Sequence, residues 1–251
     1  MMFNDIMNNK FVFITPAYNC EDSIHKTIYS MMSQSYDNWR AIIINDISTD
    51  STLERIKHVC NNSIYADRFT IIDNKEKHGE VRNTLKCMDI VDNDEIVCRV
   101  DGGDWLTEND CLYILNTVYN EYDPDVAWTS HRWAYTRRNI SGPLQLNENM
   151  TVYNHPWVSS HMKTFRSKAL KGINDLNFRD EDGEYIVIGC DQAIFLPMMH
   201  RSHLNKRNLI HIPFVCYHYS IDLKRPDLFT CERSIKQKNS AEYIRKRGYI
   251  E

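Results

Sequence analysis

Residues 95–106 read Glu95-Ile96-Val97-Cys98-Arg99-Val100-Asp101-Gly102-Gly103-Asp104-Trp105-Leu106. The first six make a short, mainly apolar run of the kind that forms a strand buried on both faces. Two carboxylates then flank two glycines where that strand must turn. Hard oxygen ligands just past a buried strand suit Mg or Mn carrying a diphosphate, which makes Asp101 and Asp104 candidate metal ligands. The same four residues also suit a plain turn.

Upstream, the same strand-then-helix unit occurs three times. Residues 11–15 are apolar and end at Pro16; Asn19 then offers a cap, and Ile24, Ile28, Met31 and Met32 follow with helical spacing. Residues 39–44 form a second run, followed by Ser48, Thr49 and Ser51 as caps and by Leu53, Ile56 and Val59 on one helical face. Residues 69–72 form a third, with a helix expected over 80–90. Such alternation predicts an α/β fold with a mainly parallel central sheet flanked by helices, and ligands in such sheets gather at the carboxyl ends of strands. Beyond Leu106 the pattern is less regular: a helix over 110–120, a strand over 126–129, a hairpin through 138–142, a helix over 192–199 and a strand-like segment over 215–220. No repeat and no Pro/Gly/Ser-rich linker divides the 251 residues, so one domain is expected.

Composition excludes some classes. Hydrophobic residues make up 42% and charged residues 25%, which is ordinary for a globular chain. No apolar run approaches the roughly 20 residues needed to span a bilayer, and residues 1–10 lack a basic and then apolar leader. The eight cysteines form no CxxC pair and read as free thiols in a reducing compartment, so a cytoplasmic location is expected. From residue 201 onward 11 Lys/Arg stand against 5 Asp/Glu, leaving +6, while the remainder has 19 against 29, leaving −10; together they give the net −4. That basic tail reads as a solvated helix or as a surface for phosphate, nucleic acid or anionic lipid.

The strand ends carry the remaining candidates. Pro16-Ala17-Tyr18-Asn19 leaves an aromatic ring beside a helix N-terminus, where a base can stack. Asn45-Asp46-Ile47-Ser48-Thr49-Asp50 places Asp46 where it can accept from a base or ribose, with capping as the plain reading of its neighbours. His78-Gly79-Glu80-Val81-Arg82-Asn83 puts Arg82 on a first helical turn, suited to clamping a diphosphate or simply to solvent. No Gly-rich phosphate loop with a Lys or Arg follows the first strand, which argues against a nucleotidyltransferase.

Taken in order, these four motifs resemble the inverting family-two glycosyltransferases of the GT-A fold, closely over the first 110 residues and more loosely beyond. The resemblance implies a nucleotide-sugar-binding half, 1–106, and an acceptor half, 107–251, carrying the catalytic base. It implies that Pro16, Tyr18, Asp46, Arg82 and Asp101 bind the donor, with a uridine base favoured, and that Asp101 and Asp104 hold the metal. Where that family reads Asp-x-Asp-Asp, this chain has Gly103 in place of the middle carboxylate, which puts metal dependence in question. Farther on, Cys190-Asp191-Gln192-Ala193 aligns Asp191 with the family's general base, a role that needs a carboxylate at the acceptor hydroxyl; capping of the following helix is its plain reading. Val215-Cys216-Tyr217-His218-Tyr219-Ser220 resembles the late segment that closes over the diphosphate, making His218 a candidate third metal ligand, and Lys224 and Arg225 are within reach of phosphate. The acceptor implied is a soluble glycan, or a hydroxylated base in DNA given the basic tail. The alternative is a non-catalytic nucleotide-sugar-binding module with a degenerate metal site.

Overall fold

The computed structural model describes residues 7–221 and 230–251; Lys224 and Arg225 lie outside them. In chain order the elements are β1 (Phe11–Ala17), α1 (Ile24–Met32), β2 (Trp39–Asn45), α2 (Thr52–Asn61), β3 (Phe69–Asp73), α3 (Gly79–Cys87), β4 (Ile96–Arg99), β5 (Trp105–Leu106), α4 (Cys111–Tyr122), β6 (Pro124–Trp133), β7 (Lys163–Arg166), α5 (Ser167–Leu170), α6 (Cys190–Leu204), β8 (Asn208–Tyr219) and α7 (Cys231–Arg247).

One sheet runs in the order β3-β2-β1-β4-β7-β6-β8-β5. Its first four strands are parallel, as the alternation of strands and helices requires. The second half is mixed: β7 runs antiparallel to β4 and β6, while β8 is parallel to β6 and antiparallel to β5. Strands β1, β2 and β4 are buried almost throughout, which is why they read as continuous apolar runs. Their side chains alternate between two cores. Val12, Ile14, Ile42 and Ile44 pack with Val81 of α3 and Phe195, Leu196 and Met199 of α6. Phe11, Phe13 and Ile43 pack with Ile24 and Ile28 of α1, Ile56 of α2 and Leu112 and Leu115 of α4. The product is a helix-sheet-helix sandwich of the GT-A kind.

The structure moves several sequence boundaries. Strand β1 continues through Pro16 to Ala17, because pairing there runs through carbonyls that need no proline N–H: Pro16 O accepts from Gly102 N–H at 3.0 Å and Ala17 O from Asp46 N–H at 2.9 Å. The hairpin expected over 138–142 is absent. The Asn139 side chain takes the place of a ladder partner, its Oδ1 accepting from the N–H groups of His131 and Ser141. Helix α6 runs through Pro197 from Cys190 to Leu204, and Asp191 lies in its first turn rather than capping it; Gly189 occupies the cap, at φ +79°. Strand β8 extends much farther upstream than 215–220.

Candidate active site

Strands β2 and β4 flank β1 on opposite sides, so the order of connection reverses at β1 and β4 and a crevice opens at their carboxyl ends. The turn 101–104 sits in it. A Cβ on Gly102 would lie 2.8 Å from Ala17 Cα and 2.9 Å from Pro16 O, so only glycine lets this turn close on β1. Gly103 has φ +107°, a conformation that L side chains rarely adopt. Tyr18, Asn19, Ser23, Asp101, Asp104 and Tyr219 line a cavity of about 180 Å³ there.

The two carboxylates of the turn are not equivalent. Asp104 is buried and both its oxygens are engaged: Oδ2 accepts from Tyr217 Oη at 2.8 Å and Oδ1 from Ser220 N–H at 2.8 Å. Burial, and then repulsion by Asp101, push its carboxyl well above the usual range. Asp101 stands nearer solvent, and its N–H donates to the same Tyr217 Oη at 3.1 Å. Tyr217 thus ties β8 to both ends of the turn. Strand alternation sends its neighbour the other way: His218 stacks on Trp105 across the β5–β8 pairing, with ring centroids 4.1 Å apart, and is not brought to the carboxylates.

Behind the turn lies a charge cluster that sequence reasoning missed. Arg99, fully buried at the end of β4, pairs with Glu80 of α3 at 2.8 Å and with Asp101 at 3.3 Å. Burial pushes the Glu80 carboxyl up to about 7, against the pull of Arg99. Lys163, equally buried at the start of β7, pairs with Asp191 Oδ1 at 2.6 Å, and His161 Nε2 stands 3.9 Å from Asp191 Oδ2. Burial works to raise the Asp191 carboxyl, yet Lys163 and then His161 outweigh it and hold the group down at about 2. His161 is pushed down to about 4 by burial and by Lys163, and so is neutral at pH 7. Its ring stacks on Tyr217 with centroids 4.8 Å apart. For Arg99 the available signal was a lone cation inside an apolar strand, because such residues are almost never buried unpaired; Lys163, in the strand Lys163-Thr164-Phe165-Arg166, gave no such signal.

The remaining candidates lie at the other strand ends. Asp46 is buried and accepts from the N–H groups of His78 and Gly79, each at 2.9 Å, and from Asn74 Nδ2 at 2.8 Å. These bonds outweigh burial and keep its carboxyl below its ordinary value. It therefore fastens the start of α3 to the end of β2. Tyr18 is 40% exposed, and the Lys77 ammonium lies over its ring at 3.0 Å. Arg82 pairs with Glu76 at 2.9 Å on the exposed rim.

The basic tail spends much of its charge internally. Arg245 donates to the carbonyls of Tyr153 and His155, Arg247 to that of Asn177 at 2.5 Å, Arg201 to that of Lys171, and Arg207 to Asp123 and Asp125. These are anchors for α6, β8 and α7, so these four arginines are not available to a nucleic-acid backbone. Among the described residues no helix is long and apolar enough to cross a membrane.

Among the described residues no three His, Cys, Asp or Glu converge to hold a metal ion. What the site offers a cation is the Asp101 carboxylate, with Asp104 and Glu80 close by as carboxyls whose ionisation burial opposes and a bound cation would favour. Burial is the main cause of the upward shifts of Asp104 and Glu80, and repulsion by Asp101 adds to both. This fits a hard divalent ion that arrives with a diphosphate and draws its other ligands from phosphate and water.

Comparison with known proteins agrees with this geometry. Residues 12–179 match the glycosyl transferase family 2 model. EpsE of Bacillus subtilis is 37% identical over 95 residues, 38% of this chain, and the chain spans only 33% of that relative. Staphylococcus aureus TarS 1–349 in complex with UDP-GlcNAc superposes with a TM-score of 0.65 at 19% identity, over 85% of this chain and 59% of that one. The mannosyltransferase PcManGT from Pyrobaculum calidifontis, in complex with GDP-Man and Mn2+, gives 0.60 at 14% identity, over 93% and 64%. These likenesses establish the GT-A fold.

Proposed function

The chain belongs to glycosyl transferase family 2, and we propose that it moves a hexose from a UDP-linked donor to an acceptor hydroxyl with inversion, Asp191 serving as general base. The observation that carries this reading is Asp191 itself, a carboxylate held ionised by Lys163 beside the crevice that the Asp101–Asp104 turn occupies. As the acceptor oxygen bonds to the anomeric carbon, the bond from that carbon to the diphosphate breaks, and the hydroxyl proton passes to Asp191 Oδ2, the oxygen not tied to Lys163.

A cavity of about 180 Å³ suits the diphosphate portion of a donor, with the nucleoside lying over Tyr18 toward Asp46 and displacing Lys77 from the ring. Asp101 would hold the Mg or Mn, which when bound supplies the positive charge that a leaving diphosphate needs. Arg82 reaches phosphate only by leaving Glu76. The UDP-GlcNAc bound by TarS favours a UDP-linked donor. A groove of about 420 Å³, lined by Asp180, Asp182, Val187, Ile188, Lys236 and Tyr243, ends three residues before Asp191 and suits an acceptor glycan with an apolar face and a hydroxylated rim.

A panel of UDP, UDP-GlcNAc, UDP-glucose and GDP-mannose, with and without Mn, tests the donor side, because a ligand that binds only the folded chain raises its melting point. A shift with UDP compounds that grows with Mn supports the proposal; no shift with any of them refutes it. Gly103 and the engaged oxygens of Asp104 favour one rival, a binding module without turnover. That rival predicts UDP-dependent stabilisation with no UDP-sugar hydrolysis in the native chain.

A further inference from the structure

We infer that Lys163 is the positioning residue of the reaction centre: one buried ammonium fixes the orientation of Asp191 and, through His161, leaves a single carboxylate oxygen facing the acceptor. This rests on the base role proposed above for Asp191 and assigns a function to a residue that the motifs do not.

The geometry is that of a divided donor. Lys163 Nζ lies 2.6 Å from Asp191 Oδ1 and 3.4 Å from His161 Nδ1, and 5.4 Å from the centroid of the Phe195 ring. An ammonium only donates, so His161 Nδ1 must be the lone-pair nitrogen and Nε2 must carry the proton. That Nε2–H stands 3.9 Å from Asp191 Oδ2, too far for a direct hydrogen bond but close enough to favour charge there. Oδ1 is thereby occupied and Oδ2 left free. His161 is itself held by its stack on Tyr217, the residue that ties the Asp101–Asp104 turn to β8, so base and turn share one rigid support.

Burying an ammonium is costly, and its retention at the start of β7 has no packing rationale that Met or Leu would not serve better. The other charged or titratable groups around Asp191 do not substitute for it. Arg99 of β4 is committed to Glu80 and Asp101, Glu80 of α3 and Asp101 are carboxyls that can only repel a carboxylate, and Cys190 and Tyr219 are neutral, their ionisation suppressed by burial. Without Lys163 the carboxylate would turn between rotamers and would hold a proton at higher pH.

The test has one arm that needs no substrate. In chain labelled with 13C at aspartate carboxyls, the Asp191 resonance, assigned by its loss in Asp191→Asn, should titrate below the ordinary Asp range. Its midpoint should rise by one unit or more in Lys163→Met and stay low in Lys163→Arg. In the second arm, UDP-GlcNAc and UDP-glucose hydrolysis at pH 7 should fall at least tenfold in kcat for Lys163→Met with donor KM unchanged, and Lys163→Arg should recover most of it. An unshifted midpoint in folded Lys163→Met overturns the inference, as does an Arg variant no more active than Met. Should Lys163→Met fail to fold, the native midpoint and the Arg variant still decide: a native Asp191 titrating at or above the ordinary range overturns it. A native chain that binds UDP yet splits neither donor refutes the transferase reading alone, since the titration arm stands apart from turnover.

Discussion

Tyr217 links two elements far apart in sequence through one oxygen, and Tyr217→Phe removes that atom while keeping the ring and its stack on His161. Two bonds are lost: the donation to buried Asp104 at 2.8 Å and the acceptance from Asp101 N–H at 3.1 Å. A hydrogen bond to a charged group contributes about 1.5–3 kcal/mol, and Asp104 retains only Ser220 N–H as a partner. The Asp101 N–H adds little, because the turn can relax toward water. A loss near 2 kcal/mol lowers the melting point of a chain this size by about 4–8 °C. The penalty depends on pH. Asp104 has a folded pKa above its unfolded value, so whatever stability its protonated form contributes is present at low pH and lost as pH rises through the folded value. Tyr217→Phe should therefore cost most above that value, where the lost bond served the ionised form, and least where Asp104 carries a proton. Calorimetry across the pH range in which the chain stays folded reads both the size and the sign. A melting point within 1 °C of native throughout, or a loss that shrinks as pH rises, refutes the account of Asp104 as a buried acceptor satisfied by this tyrosine.

Three further outcomes are expected. The Asp191 pKa of about 2 lies below an unfolded value of about 3.9, so the ion pair contributes on the order of 2 kcal/mol above pH 4, lost as pH falls toward 2; urea melts of native and Asp191→Asn should converge over that window. Asp46→Ala removes the acceptor of two N–H groups at the start of α3, so stability should fall by about 1–2 kcal/mol in urea melts, as for a lost helix cap, and UDP should no longer raise the melting point. Gly102→Ala sets a Cβ 2.8 Å from the Ala17 backbone, so the turn must move off β1; isothermal titration should show UDP affinity down at least tenfold while far-UV dichroism is unchanged.

The parallel half of the fold was legible because burial on both faces leaves unbroken apolar runs, and the Asp-Gly-Gly-Asp turn was legible because glycines at a strand end mark close approach. The mixed half was not, since β6, β7 and β8 pair across long separations that no local period records. His218 and Tyr217 illustrate the limit: sequence places both in one strand-like segment, and only the register with β5 decides which face of β8 meets the carboxylates. Arg99 stood in plain view as a cation in an apolar strand while Lys163, in a strand shared with Thr164 and Arg166, did not, and their partners, Glu80 and Asp191, come from helices 19 and 28 residues away.

Gly103 bears on how this site could be redesigned. Where the family resemblance implies a carboxylate, this backbone has entered a conformation that favours glycine, with Ser23 Oγ 3.0 Å from where a Cβ would stand. Gly103→Asp would therefore not restore a missing ligand; it would ask an L residue to hold a left-handed bend against a neighbouring hydroxyl. The route back is a correlated one, in which a smaller residue at Ser23 and a changed path for the turn precede the acid.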